Sequence, residues 1–483
     1  MATGSITSTG IGSGLDVATM IDRLMSLEQR PLTLLKTQAT TMNSKLSTVG
    51  RMQGQFATLR DKANALTSST LWSATTATSA DPAAVRVSTG SNATAASYAV
   101  NVAKLALGQT VTSRAPLLGP LQLTEGSLTI ELGSWQAGDP AAGFDPKSGS
   151  APITIAIGPD DTSLTAIRNK INAAGAGVTA SIVTDASGAR LSLRSTATGA
   201  ENAFRISATE TSNDGIADNG LSALAFDASA ASNTMQRTMN AGNAELSVNG
   251  IALTSASNTL TDVVDGLSLT LQKPTSGDVE VSVATDTASV KTAITDLVDA
   301  FNTLASFIRT QTAYNADSKQ GGPLQGDQGT LALQNQLRAV LNEASSASSS
   351  WSRLSEIGIA IKADGTLETN ASKLDNALGN LPELKKLLAT DGGTSATSGF
   401  ARRFKRLADA ALGSTGVFES RSASIKAGVT RNSKSQEAMQ LRLDQTRARL
   451  QAQYTALDTK MATLTGLSSY MTQQIAQFNR STG

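Results

Sequence analysis

The stretch that decides the fold is residues 437–478, EAMQLRLDQTRARLQAQYTALDTKMATLTGLSSYMTQQIAQF. Large apolar residues recur in it every seven positions, at Leu443, Leu450, Leu457, Leu464, Met471 and Phe478. A second set, which begins at Met439 and includes Thr446, Gln453 and Leu467, is mixed polar and apolar. A seven-residue repeat keeps one stripe of an α-helix facing a partner helix. The stretch therefore predicts a long helix with a half-polar coiled-coil seam, which needs a second helix beside it.

A second seven-residue repeat lies at the opposite end of the chain. Asp16 is placed to cap a first amphipathic helix, and Pro31 either kinks that helix or begins the next one. Beyond Pro31 the apolar residues are again seven apart, at Leu35, Met42, Val49, Phe56 and Ala63. The simplest interpretation is that the two terminal helices pair and that everything between them is an insertion. The alternative is that two unrelated amphipathic helices pack on separate domains.

The composition limits what the chain can be. Its 483 residues allow about three domains, and with 4% aromatic and 16% charged residues several small domains or long packed helices are favoured over one large core. The absence of His and Cys excludes imidazole and thiolate catalysis and every metal site built from them. A net charge of +1 gives no overall field that would attract nucleic acid.

The N-terminus, MATGSITSTGIGSG, lacks the basic and apolar regions of a secretory signal. No run of about 18 apolar residues predicts a membrane span. We expect a chain that is cytosolic or is exported by a route that leaves no cleaved peptide.

The middle of the chain has the pattern of antiparallel strands. Short runs of alternating apolar and polar residues are separated by Gly, Asn, Asp and Pro, at 85–87, 98–102, 127–132, 153–157, 178–183, 190–194, 204–208, 245–248, 267–271 and 279–283. One helix is predicted among them at 163–173, and the Ser-, Asn-, Asp- and Gly-rich stretch 209–231 is predicted to be a loop or linker.

Helices resume after the strands. We predict helices at 288–311, 328–341, 371–379, 382–390 and 399–412, a hairpin at 357–367, and a final helix that begins near Ser420. The predicted fold class is therefore multidomain α+β: paired N- and C-terminal helices form a coiled-coil stalk, and two nested, mostly antiparallel β domains are inserted between them.

The predicted domains are nested in the same way. They are 1–40 with 445–483 as terminal assembly helices, 41–72 with 284–444 as a helical leg domain with a small hairpin, 73–125 with 231–283 as a β domain, and 126–230 as an inner α+β head domain.

Motifs for chemistry are few. Gly10-Ile-Gly12-Ser-Gly14 follows no strand and lacks the Lys of a phosphate-binding loop. Asp160-Asp161 is better interpreted as the acidic start of a helix than as a cation site. No pair of carboxylates stands out as an acid and a base. We predict no catalytic residue, no cofactor and no metal, and favour a structural or assembly protein.

Several blocks of the sequence resemble FliD-type flagellar cap proteins, the filament-capping hook-associated proteins. The opening Gly10-Ile-Gly12-Ser-Gly14-Leu15-Asp16-Val17, with the helix that ends in Glu28-Gln-Arg-Pro31, is similar to the N-terminus of that family. Further similar blocks follow in the same order at 97–109, 163–172, 177–182, 240–251, 257–258, 265–271, 324–327, 357–367 and 454–458. The resemblance covers nearly the whole chain.

The resemblance implies a cap at the distal tip of the bacterial flagellar filament. Such a protein is exported by the flagellar type III route without a cleaved signal peptide and forms a ring, usually a pentamer, that promotes folding and insertion of flagellin and prevents its loss. The implied partners are other copies of the chain, flagellin, hook–filament junction proteins and an export chaperone that binds the C-terminal helix; no nucleic acid and no membrane insertion are implied. Some members of the family adhere to host mucus.

The implied contact roles fall on residues 10–31 and 443–478. The coiled-coil and assembly contacts expected here are Leu15, Asp16, Leu24, Leu35, Met42, Val49, Phe56, Leu443, Leu450, Leu457, Leu464, Met471 and Phe478. We expect the part of the last helix near 420–443 to pair within the subunit, and the part through Phe478 to be an assembly surface. The alternatives are another axial flagellar component (flagellin or a junction protein) and a surface adhesin.

Overall fold

The computed structural model of the protein describes residues 16–114, 122–213, 215–317 and 319–481. The chain divides into two compact units: the residues up to Trp72 together with those from Thr287 onward, and Ser73–Asp286. The first unit is mainly helical and the second contains most of the strands. The predicted fold class, terminal helices with antiparallel β domains between them, is confirmed.

The described chain begins with helices α1 (Val17–Glu28), α2 (Arg30–Leu66) and α3 (Ser69–Ser73). Asp16 caps α1, because its carboxylate accepts a hydrogen bond from the backbone N–H of Thr19 at 3.1 Å. Pro31 lies in the first turn of α2, where a missing N–H removes no helical hydrogen bond. Pro31 therefore belongs to the start of the second helix, one of the two predicted possibilities.

The β unit contains one long helix, α4 (Leu164–Ala174), among its strands. The strands are β1 (Thr75–Ser79), β2 (Val85–Thr89), β3 (Ala96–Lys104), β4 (Thr110–Ser113), β5 (Gly126–Trp135), β6 (Phe144–Pro146), β7 (Ile153–Ile157), β8 (Val178–Asp185), β9 (Gly188–Ser195), β10 (Ala203–Glu210), β11 (Met235–Met239), β12 (Ala244–Val248), β13 (Ile251–Ser255), β14 (Thr259–Val264), β15 (Leu267–Leu271) and β16 (Val279–Thr285).

Two hydrophobic cores organise this unit. A sheet of order β1-β16-β3-β12-β13 and a sheet of order β14-β15-β2 share an outer core with Val85, Val100, Leu246, Leu269 and Val281. A sheet of order β10-β5-β6, with β7 also on β5, and a sheet of order β11-β4-β9-β8 share an inner core with α4, lined by Leu128, Ile167, Leu191 and Phe204. The strands within each of these sheets pair antiparallel.

The boundary between the outer and inner parts of the β unit lies at different residues from those of the domain prediction. Strands β4 and β11 fall in the ranges 73–125 and 231–283, yet they pair with each other and β4 pairs with β9 of the inner part. Val111 and Met235 are accordingly buried in the inner core.

The stretch 209–231, predicted to be a loop or linker, is packed into the inner core. It is not a linker, because Leu221, Leu224 and Phe226 are buried in the inner core and a short 3₁₀ turn spans Leu221–Leu224. Phe226 also forms a backbone bridge with Ile206 of β10. Three large apolar residues diluted among small polar ones leave no helical or strand period, so the pattern alone indicated a loop.

The chain returns to the helical unit with α5 (Thr287–Thr312), strands β17 (Tyr314–Asn315) and β18 (Gln320–Gly321), α6 (Gln328–Asn342), strands β19 (Ile359–Ile361) and β20 (Leu367–Thr369), α7 (Ala371–Leu378), α8 (Leu381–Ala389), α9 (Phe400–Leu412) and α10 (Val417–Ser481). One core joins these elements to α2, through Phe56, Leu59, Phe301, Leu304, Phe404 and Phe418 among others. Arg421 of α10 forms an ion pair with the largely buried Asp327, which caps α6.

Candidate functional site: the two segments of helix α10

Helix α10 consists of 65 residues and is divided here into a packed segment, residues 417–454, and a distal segment, residues 455–481. The packed segment lies against α2 and α1. Phe418 meets Phe56 edge-on, with ring centroids 5.2 Å apart, and both side chains are fully buried. Gly428 allows a close approach, since a Cβ there would lie 3.2 Å from the sulfur of Met42. The contact between α2 and α10 is therefore tightly packed from Phe418 to Gly428.

Polar side chains form the next layer of the pair. Asn432 is buried; its amide nitrogen donates to the side-chain oxygen of Gln38 at 3.4 Å and its oxygen accepts from the side-chain amide of Gln436 at 2.6 Å. A buried amide that finds its partners only in one alignment favours one register of two helices. This layer thus aligns α2 with α10.

A second apolar cluster closes the packed segment. It consists of Val17, Ile21, Met25, Leu32 and Leu443, with the half-buried Met439, Leu450 and Tyr454 beside them. Arg447 forms an ion pair with Asp22 of α1 at 2.7 Å. Phe56 contacts Phe418, Gln38 contacts Asn432, and Asp22 pairs with Arg447. Residue numbers fall along α2 and α1 as they rise along α10, so α1 and α2 run antiparallel to α10.

The distal segment begins where the antiparallel contacts with Val17, the first residue of α1, end. At about 1.5 Å per residue it continues for about 40 Å. Its large apolar residues are exposed, with 59% of Leu464 and 54% of Met471 accessible, and the same holds for Leu457, Met461, Leu467, Tyr470, Ile475 and Phe478. None of them belongs to a hydrophobic cluster of the described residues.

Charge also distinguishes the two segments. The packed segment carries Glu419, Arg421, Lys426, Arg431, Lys434, Glu437, Arg442, Asp444, Arg447 and Arg449. The distal segment carries only Asp458, Lys460 and Arg480 among Thr, Ser, Gln and Ala. A surface that is apolar and depleted in charge is typical of the centre of a protein–protein interface. The distal segment therefore has the chemistry of a surface that an assembly covers.

Helix α1 presents a second exposed apolar stripe. Val17, Ile21 and Met25 face the packed segment, whereas Met20, Leu24 and Leu27, with Leu34 of α2, are exposed. In the sequence, Met20, Ile21, Leu24 and Leu27 are spaced as one apolar stripe, but the structure divides them between two faces of α1. The spacing of four from Val17 to Ile21 to Met25 is the signal that identifies the buried face.

The residues expected to make assembly contacts fall into three environments. Val49, Phe56 and Leu443 are buried, and Leu35, Met42 and Leu450 are half-buried along the helix pair. Exposed positions are Asp16, Leu24, Leu457, Leu464, Met471 and Phe478. Leu15 lies outside the described residues. Sequence reasoning missed Met25, Leu32 and Tyr454, which complete the second cluster.

Electrostatics at the start of α1 favour its cap. The hydroxyl and the backbone N–H of Thr19 both donate to Asp16 and hold the pKa of that carboxyl below its usual value. Asp16 therefore stays ionised and keeps its favourable place at the helix N-terminus.

The described residues contain no group of three or more acidic side chains that could hold a metal ion. Among the same residues, no helix is both long enough and apolar enough to span a membrane.

Known proteins resemble this chain along nearly its whole length. The family model described as the flagellar hook-associated protein 2 N-terminus matches residues 13–109, the C-terminus model of that family matches 241–466, and a flagellin hook IN motif matches 148–197. Flagellar hook-associated protein 2 of Escherichia coli K12 is 33% identical over 97% of this chain and 98% of the relative. The Salmonella typhimurium protein of that name is 30% identical over 99% of this chain and 100% of the relative.

A solved structure agrees with these relatives. The crystal structure of the D1-D2-D3 domains of the flagellar cap protein FliD from Escherichia coli aligns with a TM-score of 0.58 and 32% identity, over 78% of this chain and 99% of that one. Two terminal family models, full-length relatives and this shared fold agree, and the chain belongs to the flagellar hook-associated protein 2 family, the FliD-type flagellar cap proteins.

Proposed function

We propose that several copies of this chain form a ring at the distal tip of a bacterial flagellar filament, where the ring promotes folding and insertion of exported flagellin and prevents its loss. The observation that carries the proposal is the distal segment of α10, which is helical, exposed, apolar and almost without charge. In this proposal the terminal segments 1–40 and 445–483 contact the filament end, and the β domain of residues 73–125 and 231–283 forms the cap plate.

Contact with a partner stabilises the distal segment in this proposal. Burial of a Leu or Met side chain contributes about 1.5–3 kcal/mol, and a helix whose apolar face is unpacked lacks the tertiary contacts from which helices in proteins gain most of their stability. A segment with both properties becomes ordered and loses its exposed apolar surface when a partner covers it. Flagellin at the filament end is the proposed partner after export, and an export chaperone is the partner before it.

The packed segment supports the proposal that the distal segment alone of these two is a contact surface. Its cores fix α1 and α2 to α10 within one subunit, so the distal segment is carried by a folded support. We further propose a pentameric ring, contact with hook–filament junction proteins, and export by the flagellar type III route to the filament tip. The expected role is structural, with no catalytic residue assigned.

The test replaces the distal apolar surface in a flagellated host that lacks its own cap gene. One variant carries Leu457→Ser, Leu464→Ser and Met471→Ser. Its matched control carries Gln453→Ser, Lys460→Ser and Gln473→Ser, which are also exposed positions of α10. Serine replaces every residue in both, so the change in helix propensity is similar.

We expect the apolar variant to release unpolymerised flagellin into the medium and to form few filaments in electron micrographs, while the control forms normal ones. The variant protein itself is measured in the medium to separate loss of capping from loss of export. Normal filaments in cells that export the apolar variant would overturn the proposal.

A further inference from the structure

The five-stranded sheet of the outer core ends at β13, and no other element of the described chain pairs with the free edge of this strand. Strand β13 pairs with β12 through a two-residue turn at Asn249-Gly250, in which both residues have positive φ. In such a hairpin Val248 and Ile251 exchange backbone hydrogen bonds, as do the pairs two residues farther along. The N–H and C=O of Ala252 and Thr254 therefore point away from β12.

These outward groups have no backbone partner among the described residues. Ala252 and Thr254 are exposed, and Ile251 at the corner is 67% exposed. The strand, Ile-Ala-Leu-Thr-Ser, contains no charged residue and no proline. Soluble proteins usually blunt a free edge with a charge, a proline, a bulge or a covering element.

Other edge strands of the same unit carry such protection. In β14 the pairing shifts register between Leu260 and Val264, and Asp262 there has positive φ. In β8 the side-chain amide of Asn172 pairs with both the N–H and the C=O of Ala180, at 2.7 and 2.9 Å. In β10 the backbone of Phe226 covers Ile206. The bare edge of β13 therefore differs from its neighbours.

We propose that β13 pairs antiparallel with β13 of a second copy of this chain. The edge is complementary to itself: with Leu253 opposite Leu253 of the second copy, Ala252 exchanges backbone hydrogen bonds with Thr254 of that copy, and the reverse. The two five-stranded sheets become one continuous sheet. A charged partner would find no opposite charge on this strand.

The side chains beside β13 are compatible with pairing to β13 of a second copy. On one face the Leu253 side chains meet beside the outer core, against which Leu253 already packs. On the other face Thr254 lies next to Glu245, whose charge is paired with Lys104 at 3.0 Å. Two copies therefore bring together uncharged strands, and the carboxylate of the neighbouring Glu245 already forms an ion pair. The buried surface is small, so the dimer is weak and concentration-dependent.

Cysteine cross-linking of the full-length chain tests the register, because the chain has no native Cys. Opposed residues of a non-hydrogen-bonded antiparallel pair have Cα atoms about 4.5 Å apart, within the disulfide range. Leu253→Cys should give, on mild oxidation, about tenfold more covalent dimer than Thr261→Cys on the protected β14. Equal yields would overturn the proposal.

A charge exchange at the exposed Ala252 provides a second test that spares the core. Residues 252 of the two copies are diagonal neighbours, about 7–8 Å apart. Ala252→Lys and Ala252→Glu should each lose the dimer in sedimentation, and a one-to-one mixture should restore it as a Lys–Glu heterodimer. Thr261→Lys and Thr261→Glu are the matched controls and should change nothing. A mixture that stays monomeric at this contact would contradict the two-fold pairing.

Discussion

The packed and distal segments of α10 belong to one uninterrupted helix and share one seven-residue repeat, yet their environments are opposite. Leu443 is 4% exposed against α1 and α2, and Leu464, three repeats farther along, is 59% exposed. The packed segment surrounds its apolar stripe with charges, whereas the distal segment has almost none. A repeat therefore specifies a surface that can be buried, and the neighbouring charge indicates whether the subunit or an assembly buries it.

The largest expected difference between the segments is in backbone hydrogen exchange. Local opening free energies range from about zero to the global stability of a protein. In the free monomer we expect slow exchange in residues 417–450 and fast exchange in 457–478, because only the former helix is held by tertiary contacts. Comparable protection of both segments in a monomer would remove the distinction.

Truncation of the buried aromatic pair should have the next largest effect. Phe56→Ala removes a fully buried ring that packs on Phe418 and should cost about 3–5 kcal/mol in the free energy of unfolding. The matched change in the distal segment, Leu464→Ala, should alter stability by less than about 0.5 kcal/mol. Urea denaturation of the purified chain measures both. A large loss from Leu464→Ala would show that the free subunit buries the distal segment.

Acid should destabilise the folded part of the helical unit. Hydrogen bonds from Lys386, Ser348 and the backbone of Ser349 lower the pKa of Glu383 from 4.5 to about 2. A lowered folded-state pKa contributes stability above pH 4.5, and this contribution is lost as the pH falls towards 2. Glu383→Gln should therefore flatten the decline in thermal stability over this interval. An unchanged slope would assign the acid sensitivity to other carboxylates such as Asp364, whose pKa is also lowered to about 2, mainly by the hydroxyl of Thr366.

The smallest effect is expected at the ion pair near the border of the two segments. Arg447 and Asp22 are 2.7 Å apart and both are largely exposed, so solvent and salt screen their attraction. Arg447→Ala should change the free energy of unfolding by less than about 1 kcal/mol, and added salt should reduce the difference. A larger loss would show that this contact, together with the apolar cluster, determines where the packed segment ends.

Local patterns were sufficient for many elements. The Asp16 cap, helix α5 and ten strands of the two β cores follow from capping preference and from periods of 3.6 or two residues, whereas the pattern at Pro31 left a kink and a helix start both open. The hairpin of β12 and β13 has a strong turn signal in Asn249-Gly250. The other six strands of these cores, β1, β4, β6, β11, β13 and β14, were not predicted. The five residues of β13, Ile-Ala-Leu-Thr-Ser, show no clear alternation.

Non-local packing decided the rest. Leu221, Leu224 and Phe226 are buried because the inner core needs them, although their own segment has no period. Strand β4 joins the inner sheet by pairing with β9, about 80 positions away, and β11 joins it by pairing with β4, more than a hundred positions away. Such contacts are specified by complementary surfaces, which no window of sequence contains.

By itself, the sequence determined that two helices with matching seven-residue repeats lie at the ends of the chain and that antiparallel strands lie between them, because periodicity is a local property. Only the tertiary structure decided how far the pairing extends. Helices α1 and α2 lie along α10 as far as the cluster of Val17 and Tyr454, and the same repeat continues beyond it with its apolar residues exposed. The physical reason is that burial depends on which partner is present at each point along a helix, and a repeat is identical whether or not a partner is there.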